Sequence, residues 1–227
     1  MLTKLVEKRR VKAHCYWPSL DCDTQLFNSI SVKLDSVTEE DQLIQRHFTL
    51  THGDKVRRLC HIQYTGWPDF GVPPSTESIR RIYELMDKYR NEYKVNRKPT
   101  VVVHCSAGIG RSGTFLAIQF FRESFLKCEP NIPTIVSSLR VHRSGMVQTK
   151  EQYRYIYKVV EDLLKTQLFV SRKSPSAQTQ SCPNFTFIAP VPAIVPKNPV
   201  VRATPNGRKA LTQACNGIPV PRCINVN

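Results

Sequence analysis

The stretch His104-Cys105-Ser106-Ala107-Gly108-Ile109-Gly110-Arg111-Ser112-Gly113 governs the reading of this chain. It follows the apolar run Thr100-Val101-Val102-Val103 and precedes an apolar-periodic segment that begins at Phe115, a pattern that predicts strand, tight loop and helix in that order. The loop is built of small residues and closes on an arginine six positions after the cysteine. Gly108 and Gly110 permit backbone conformations that other residues resist. Backbone N–H groups can therefore turn inward and, with the helix N-terminus, cradle an oxyanion. Arg111 adds a planar, permanently charged fork. The same positive field favours the thiolate of Cys105, the nucleophilic form. The plainer reading is a buried structural cysteine beside a glycine-rich turn. It does not explain why a Cys and an Arg bracket such a loop at a strand-to-helix junction. Sulfur-transfer and arsenate-reducing loops use related physics, so this stretch alone leaves the reaction open.

A second stretch narrows it. Tyr64-Thr65-Gly66-Trp67-Pro68-Asp69-Phe70-Gly71-Val72-Pro73 follows a predicted strand and carries one carboxylate between large aromatic anchors. A cysteine that attacks a phosphate ester needs an acid for the departing oxygen, and Asp69 can supply it. Prolines and glycines around an aromatic pair suit a stiff closing flap, although Pro-Asp and Phe-Gly pairs also occur in ordinary surface turns.

Together with Gln148-Thr149-Lys150-Glu151-Gln152 downstream, these motifs resemble the tyrosine-specific protein phosphatases, over residues 1–166 and in the family's order. The resemblance implies a two-step hydrolysis without metal or organic cofactor. Cys105 would attack phosphorus to form a phosphocysteine, and Asp69 would protonate the tyrosine oxygen. Water positioned by Gln148 and activated by Asp69 would then release phosphate. Ser106, Ala107, Gly108, Ile109, Gly110 and Arg111 would bind the phosphoryl oxygens. Ser112 would support the leaving thiolate, His104 would help hold the cysteine ionised, and Gln152 matches the second glutamine of the water-positioning loop. Trp67, Pro68 and Phe70 would frame the flap. Glu7-Lys8-Arg9-Arg10-Val11-Lys12, followed by Tyr16-Trp17-Pro18, resembles the family's acidic hairpin. There Glu7 would orient Arg111 and Lys12 would lie near the flap, where sequence alone reads a solvated charge run. Arg140 resembles a family arginine that reaches toward the phosphate loop, against the plain alternative of an exposed helix arginine.

The family carries a segment ahead of the equivalent of Met1 that supplies core helices and an aromatic residue stacking on the phosphotyrosine ring. No counterpart is found here, so an N-terminally shortened family domain with exposed apolar sheet surface is expected. Two functions are weighed: an active phosphatase acting on phosphotyrosine in proteins, and a catalytically weak phosphotyrosine-binding or regulatory fragment.

Composition agrees with a globular domain: 227 residues, 41% hydrophobic and 22% charged,. No run approaches the length of a membrane-spanning helix. The eight cysteines lack paired metal-ligand spacing,, and a catalytic thiolate needs a reducing compartment. The others are therefore expected as free thiols of a cytosolic or nuclear protein. Of the net charge of +15, seven basic and no acidic residues fall in 171–227, and the remainder carries +8 from 26 basic and 18 acidic residues. Such a surface suits acidic partners, and no nucleic-acid motif accompanies it. Nine of the 16 prolines fall after residue 170. The division expected is a phosphatase domain at 1–168 and a disordered basic tail at 169–227, where Pro196-Lys197-Asn198-Pro199 offers a proline-reading adaptor a site.

Strands are predicted at 9–17, 26–34, 42–51, 56–64 and 101–104. A helix is predicted from Ser75 with Ile79, Ile82, Leu85 and Met86 on one face. Further helices are expected at 112–127, 132–143 and 149–166, the last with Tyr153, Ile156, Val160, Leu163 and Leu164 on its apolar stripe. Strands first and then helices predict an α+β domain around a twisted mixed sheet.

Overall fold

Two-residue turns build the first half of the chain. The computed structural model describes residues 1–20, 22–93, 100–125 and 130–166. A short hairpin, β1 (Val6–Glu7) and β2 (Arg10–Val11), is followed by β3 (Thr24–Phe27), β4 (Ile30–Glu40), β5 (Leu43–His52) and β6 (Lys55–Tyr64). The last four form one sheet in the order β3-β4-β5-β6, antiparallel throughout. Asn28, Asp41 and Gly53 open the three connecting turns at φ of 53°, 53° and 55°. Asn, Asp and Gly are the residues that tolerate that conformation. A bulge at Leu34/Ser36 shifts the β4–β5 register.

Helices follow: α1 (Glu77–Glu92), α2 (Gly110–Ser124), α3 (Ile132–His142) and α4 (Lys150–Lys165). Helix α2 packs against α3 and α4, and α1 against α4. Tyr83 of α1 stacks on Phe115 of α2 at 4.7 Å and donates to the Phe115 carbonyl at 2.9 Å. The Asn131 side chain accepts from Thr134 N at the start of α3, and Thr149 opens α4 with a capping box closed by Gln152,.

The α+β class, the two long strands β5 and β6 and all four helices follow the reading of the sequence, with several corrections. The sheet is antiparallel rather than mixed among the described residues. Residues 100–104 form no strand, because among the described residues the one ladder-like bond there runs from Leu2 N to the His104 carbonyl at 2.8 Å, and a strand needs a neighbour along its length. The predicted strand at 9–17 shrinks to Arg10–Val11, and that at 26–34 divides into β3 and β4 around the Asn28 turn. Thr76 rather than Ser75 precedes α1, and α2 starts at Gly110 rather than at 112. On α4 the buried stripe is Gln152, Tyr155, Ile156, Val159, Val160 and Leu163, while Leu164 is exposed. The 3.6-residue period carries it off the stripe. Cys15, Cys60 and Cys105 are free, but Cys22 is disulfide-bonded. Which thiols meet depends on the fold and not on their spacing. The expected tail at 169–227 and its adaptor site lie outside the described residues, as does the last turn predicted for α2.

Apolar surface does remain open, with Val101, Val102, Val56, Leu59 and Phe27 all exposed. A cavity of about 1410 Å3 runs between β6 and Thr100–His104. It belongs to this apolar side of the sheet, and neither Cys105, Arg111 nor Asp69 lines it. Among the described residues no helix is long and apolar enough to cross a membrane.

Candidate active site

The loop between His104 and α2 folds around its cysteine. Gly108 adopts φ +71°, a conformation that costs most residues a steric clash, and its N–H donates to Cys105 Sγ at 3.3 Å. Gly110 is not in that region and begins α2. A Cβ there would lie 3.0 Å from Gln148 Oε1 and 3.1 Å from Gln152 Nε2. Its smallness therefore serves a close approach of these side chains, not an unusual turn. No side chain caps α2, which leaves its first N–H groups for an anion. Cys105 is buried at 8% exposure, at the mouth of this helix.

Arg111 is nearly inaccessible, with 4% of its side chain exposed. Nη1 and Nη2 each donate to one oxygen of Glu7 at 2.6 Å. Nη1 also reaches the Leu2 carbonyl at 3.2 Å, and Nη2 reaches Asp69 Oδ1 at 3.0 Å. Asp69 Oδ2 pairs with Lys12. The hairpin thus contributes Glu7 to the arginine and Lys12 to the flap, and the flap carboxylate is drawn over the loop between two cations. The flap is stiffened from beneath. Trp67 is 1% exposed and donates Nε1–H to the Gly71 carbonyl at 3.0 Å. Pro68 O accepts from Gly71 N at 3.3 Å, and Phe70 holds φ 60° with its ring exposed.

A directed chain of hydrogen bonds ends at the cysteine backbone. His104 Nδ1 lies 3.1 Å from the Cys105 carbonyl, and its Nε2 meets the Tyr16 hydroxyl. The Tyr16 hydroxyl also lies 3.2 Å from His61 Nε2, and Arg46 Nη1 lies 3.4 Å from His61 Nδ1. Arginine only donates and a carbonyl only accepts. Every proton in between is thereby assigned: His61 donates to Tyr16, Tyr16 to His104, and His104 to Cys105 O. Burial lowers both imidazoles, His61 to about 3, and pushes Tyr16 up to about 12, directions that favour this arrangement. Tyr16, His61 and Arg46 were not singled out from sequence; only the aromatic Tyr16-Trp17 pair after the hairpin hinted at them.

On the far side, Gln152 is 1% exposed. Its Oε1 accepts from Gln148 N at 3.0 Å and Thr149 N at 3.3 Å, and its Nε2 donates to the Gly71 carbonyl at 3.4 Å. It therefore ties flap to helix cap, while the Gln148 side chain stays exposed beside Gly110. Arg140 bonds the carbonyls of Met146 and Val147 at 2.9 and 3.0 Å. The arginine that reaches the phosphate loop is Arg143, Nη2 to Ala107 O at 2.9 Å. The spacing of charges along α3 could not distinguish the two. Ser112 is buried and its hydroxyl finds no hydrogen-bond partner among the described residues. Gly113 lets α2 meet the following loop, since a Cβ there would stand 2.5 Å from Val147 N.

The family model for protein-tyrosine phosphatase matches residues 1–162. The chain belongs to the protein-tyrosine phosphatase family. Tyrosine-protein phosphatase 2 of Dictyostelium discoideum is 36% identical over 201 residues, covering 84% of this chain and 51% of that protein. Receptor-type tyrosine-protein phosphatase R of Mus musculus is 36% identical over 177 residues, 77% of this chain and 25% of the relative. Tyrosine-protein phosphatase non-receptor type 7 of Rattus norvegicus is 34% identical over 158 residues, 69% and 42% respectively. The chain thus spans about half the length, or less, of these relatives.

In this phosphatase-family site the Glu7–Arg111 pair also carries pH-dependent stability. Burial opposes ionisation of Glu7, but the bonds from Arg111 and Thr3 overcome it and bring its carboxyl from 4.5 to about 2. A carboxylate depressed by folding stabilises the folded state above its unfolded value, and the contribution is lost as pH falls through the folded value. The melting temperature is therefore expected to decline between pH 4.5 and about 2. Glu7→Gln, which removes the bidentate one of the buried guanidinium's two carboxylate partners, is expected to melt about 5 °C or more below the parent at neutral pH. The gap should close at the acid end, and a gap that persists at about pH 2 would refute the linkage.

Proposed function

We propose that this chain hydrolyses phosphotyrosine in proteins through a phosphocysteine intermediate. The observation that carries the reading is the shared grip on Arg111. The loop arginine, the hairpin glutamate and the flap aspartate are joined within 3.0 Å above a buried cysteine at a helix N-terminus. A phosphate entering the loop takes the Nη2 donor that Asp69 now occupies, while Glu7 keeps the guanidinium in plane. Cys105 Sγ then bonds to phosphorus as the phosphorus–oxygen bond to the tyrosine breaks, and Asp69 gives that oxygen its proton. The loop N–H groups and Arg111 take up charge on the equatorial oxygens. In the second step Gln148 holds a water and Asp69 removes its proton. The water oxygen bonds to phosphorus as the phosphorus–sulfur bond breaks and the sulfur leaves as thiolate, which the Ser112 hydroxyl, unpartnered among the described residues, would support. Arg143, Arg140 and Gln152 act as positioning residues, through the Ala107 carbonyl, the Gln148 loop and the flap. The need of Cys105 for reducing surroundings favours a cytosolic or nuclear setting, with the Cys22 disulfide the observation on the other side.

Phosphate release from a phosphotyrosine peptide by monomeric protein tests the reading. Turnover of phosphotyrosine over phosphoserine is expected. A folded monomer that binds the peptide by isothermal titration without releasing phosphate would replace it with the binding-fragment alternative.

A further inference from the structure

The hairpin that holds Arg111 has a second feature that the proposed chemistry does not use. Its turn is Lys8-Arg9, with both residues at positive φ, 48° and 62°. A two-residue turn of that geometry favours Asn-Gly, because a long side chain in the left-handed region is strained. The three other two-residue turns of this chain hold only their first residue at positive φ, and Asn28, Asp41 and Gly53 fill that position. The exception sits beside the site, where strain is retained for a purpose more often than elsewhere.

The register places the cations. Glu7 pairs across the hairpin with Arg10, and Val6 with Val11. Side chains alternate faces along a strand, so Glu7, Arg10 and Lys12 share one face. Glu7 and Lys12 on that face grip Arg111 and Asp69. Arg10 stands opposite Glu7 in the hairpin register yet forms no ion pair with it among the described residues, while both carboxylate oxygens serve Arg111. Lys8, Arg9 and Arg10 are all exposed and enter no ion pair among the described residues. Three exposed cations without an ion pair among the described residues therefore follow directly on Glu7, whose carboxylate grips Arg111.

We infer that Lys8, Arg9 and Arg10 form a subsite for acidic side chains flanking the phosphotyrosine of a protein substrate, an inference that rests on the phosphatase reading above. Glu7 contacts Arg111 itself and cross-strand neighbours lie about 5 Å apart, so Arg10 falls about 10 Å from the phosphate site, with Lys8 and Arg9 in the turn beside it. A substrate in extended conformation advances about 3.3 Å per residue, so carboxylates about two to four positions from the phosphotyrosine reach them. The interaction lies in solvent, so it sets preference and encounter rate more than tight binding.

Matched phosphotyrosine peptides with glutamate or alanine at the flanking positions test this. The kcat/KM ratio of the acidic to the neutral peptide is expected at about fivefold or more in dilute buffer, and near one in about 1 M salt, where screening acts over about 3 Å. In Lys8→Asn/Arg9→Gly, which installs the preferred turn, the ratio should fall about threefold while the melting temperature rises by about 2–4 °C. Arg10→Gln should lower the ratio without the thermal gain. A ratio near one in the parent, or one that the double variant leaves unchanged, overturns the inference. Absence of turnover with every peptide would fail the phosphatase reading instead. The preference is then read as a ratio of dissociation constants for the same peptides, and equal constants overturn it.

Discussion

Cys105→Ser is expected to lower phosphate release from a phosphotyrosine peptide by about 10^4-fold or more while leaving the melting temperature within about a degree of the parent. The exchange is small in volume, and the Gly108 N–H that meets Sγ at 3.3 Å has an oxygen to meet instead. Chemistry is lost for two reasons. A serine hydroxyl keeps its proton at neutral pH unless a base removes it, and the neighbouring imidazole is already committed. His104 spends Nδ1 on the Cys105 carbonyl and Nε2 on Tyr16. An alkoxide is also a poorer leaving group than a thiolate in the second step. Phosphate release and thermal melting on the same preparation check this. Activity above about 1% of the parent in a folded variant would remove Cys105 from the nucleophile's role.

Asp69→Ala should reduce kcat on phosphotyrosine by about 10^2- to 10^4-fold, the range for loss of a positioned acid, with KM within about threefold of the parent. Two opposing effects act on KM. The variant loses the flap's anchor to Lys12 and Arg111, but it also frees the Arg111 donor that a phosphate must otherwise win from a carboxylate. The loss should shrink for an aryl phosphate whose phenol is more acidic than tyrosine, since that oxygen departs without needing the proton. Steady-state kinetics on the two substrates check it. An equal loss with both, or a rise in KM that matches the fall in kcat, would make Asp69 a flap anchor and not an acid.

Much of this was legible before the fold was known, for local reasons. Cys105 and Arg111 are six residues apart on one loop, and small residues between them admit few backbone paths. Thr149 and Gln152 satisfy a capping box from four consecutive residues, so the start of α4 was readable within one residue. The strand failure at Thr100–His104 has the opposite character. Its β-branched run fits a strand well, but a ladder needs a partner, and among the described residues only Leu2 offers a bond there.

Short-range pattern therefore specified the tight loop from Cys105 to Arg111, the α+β class and, through its capping box, the start of α4, because those depend on steric limits within a few residues. Tertiary packing settled which distant groups meet. It joined Glu7 to Arg111 across 104 positions and brought Arg143, not Arg140, to the loop carbonyl. It lined up Arg46, Tyr16 and His61 behind His104, and among the described residues it left Arg10 without an ion pair opposite Glu7. No local spacing encodes these pairings, since each is the outcome of several elements competing for the same buried donors and acceptors.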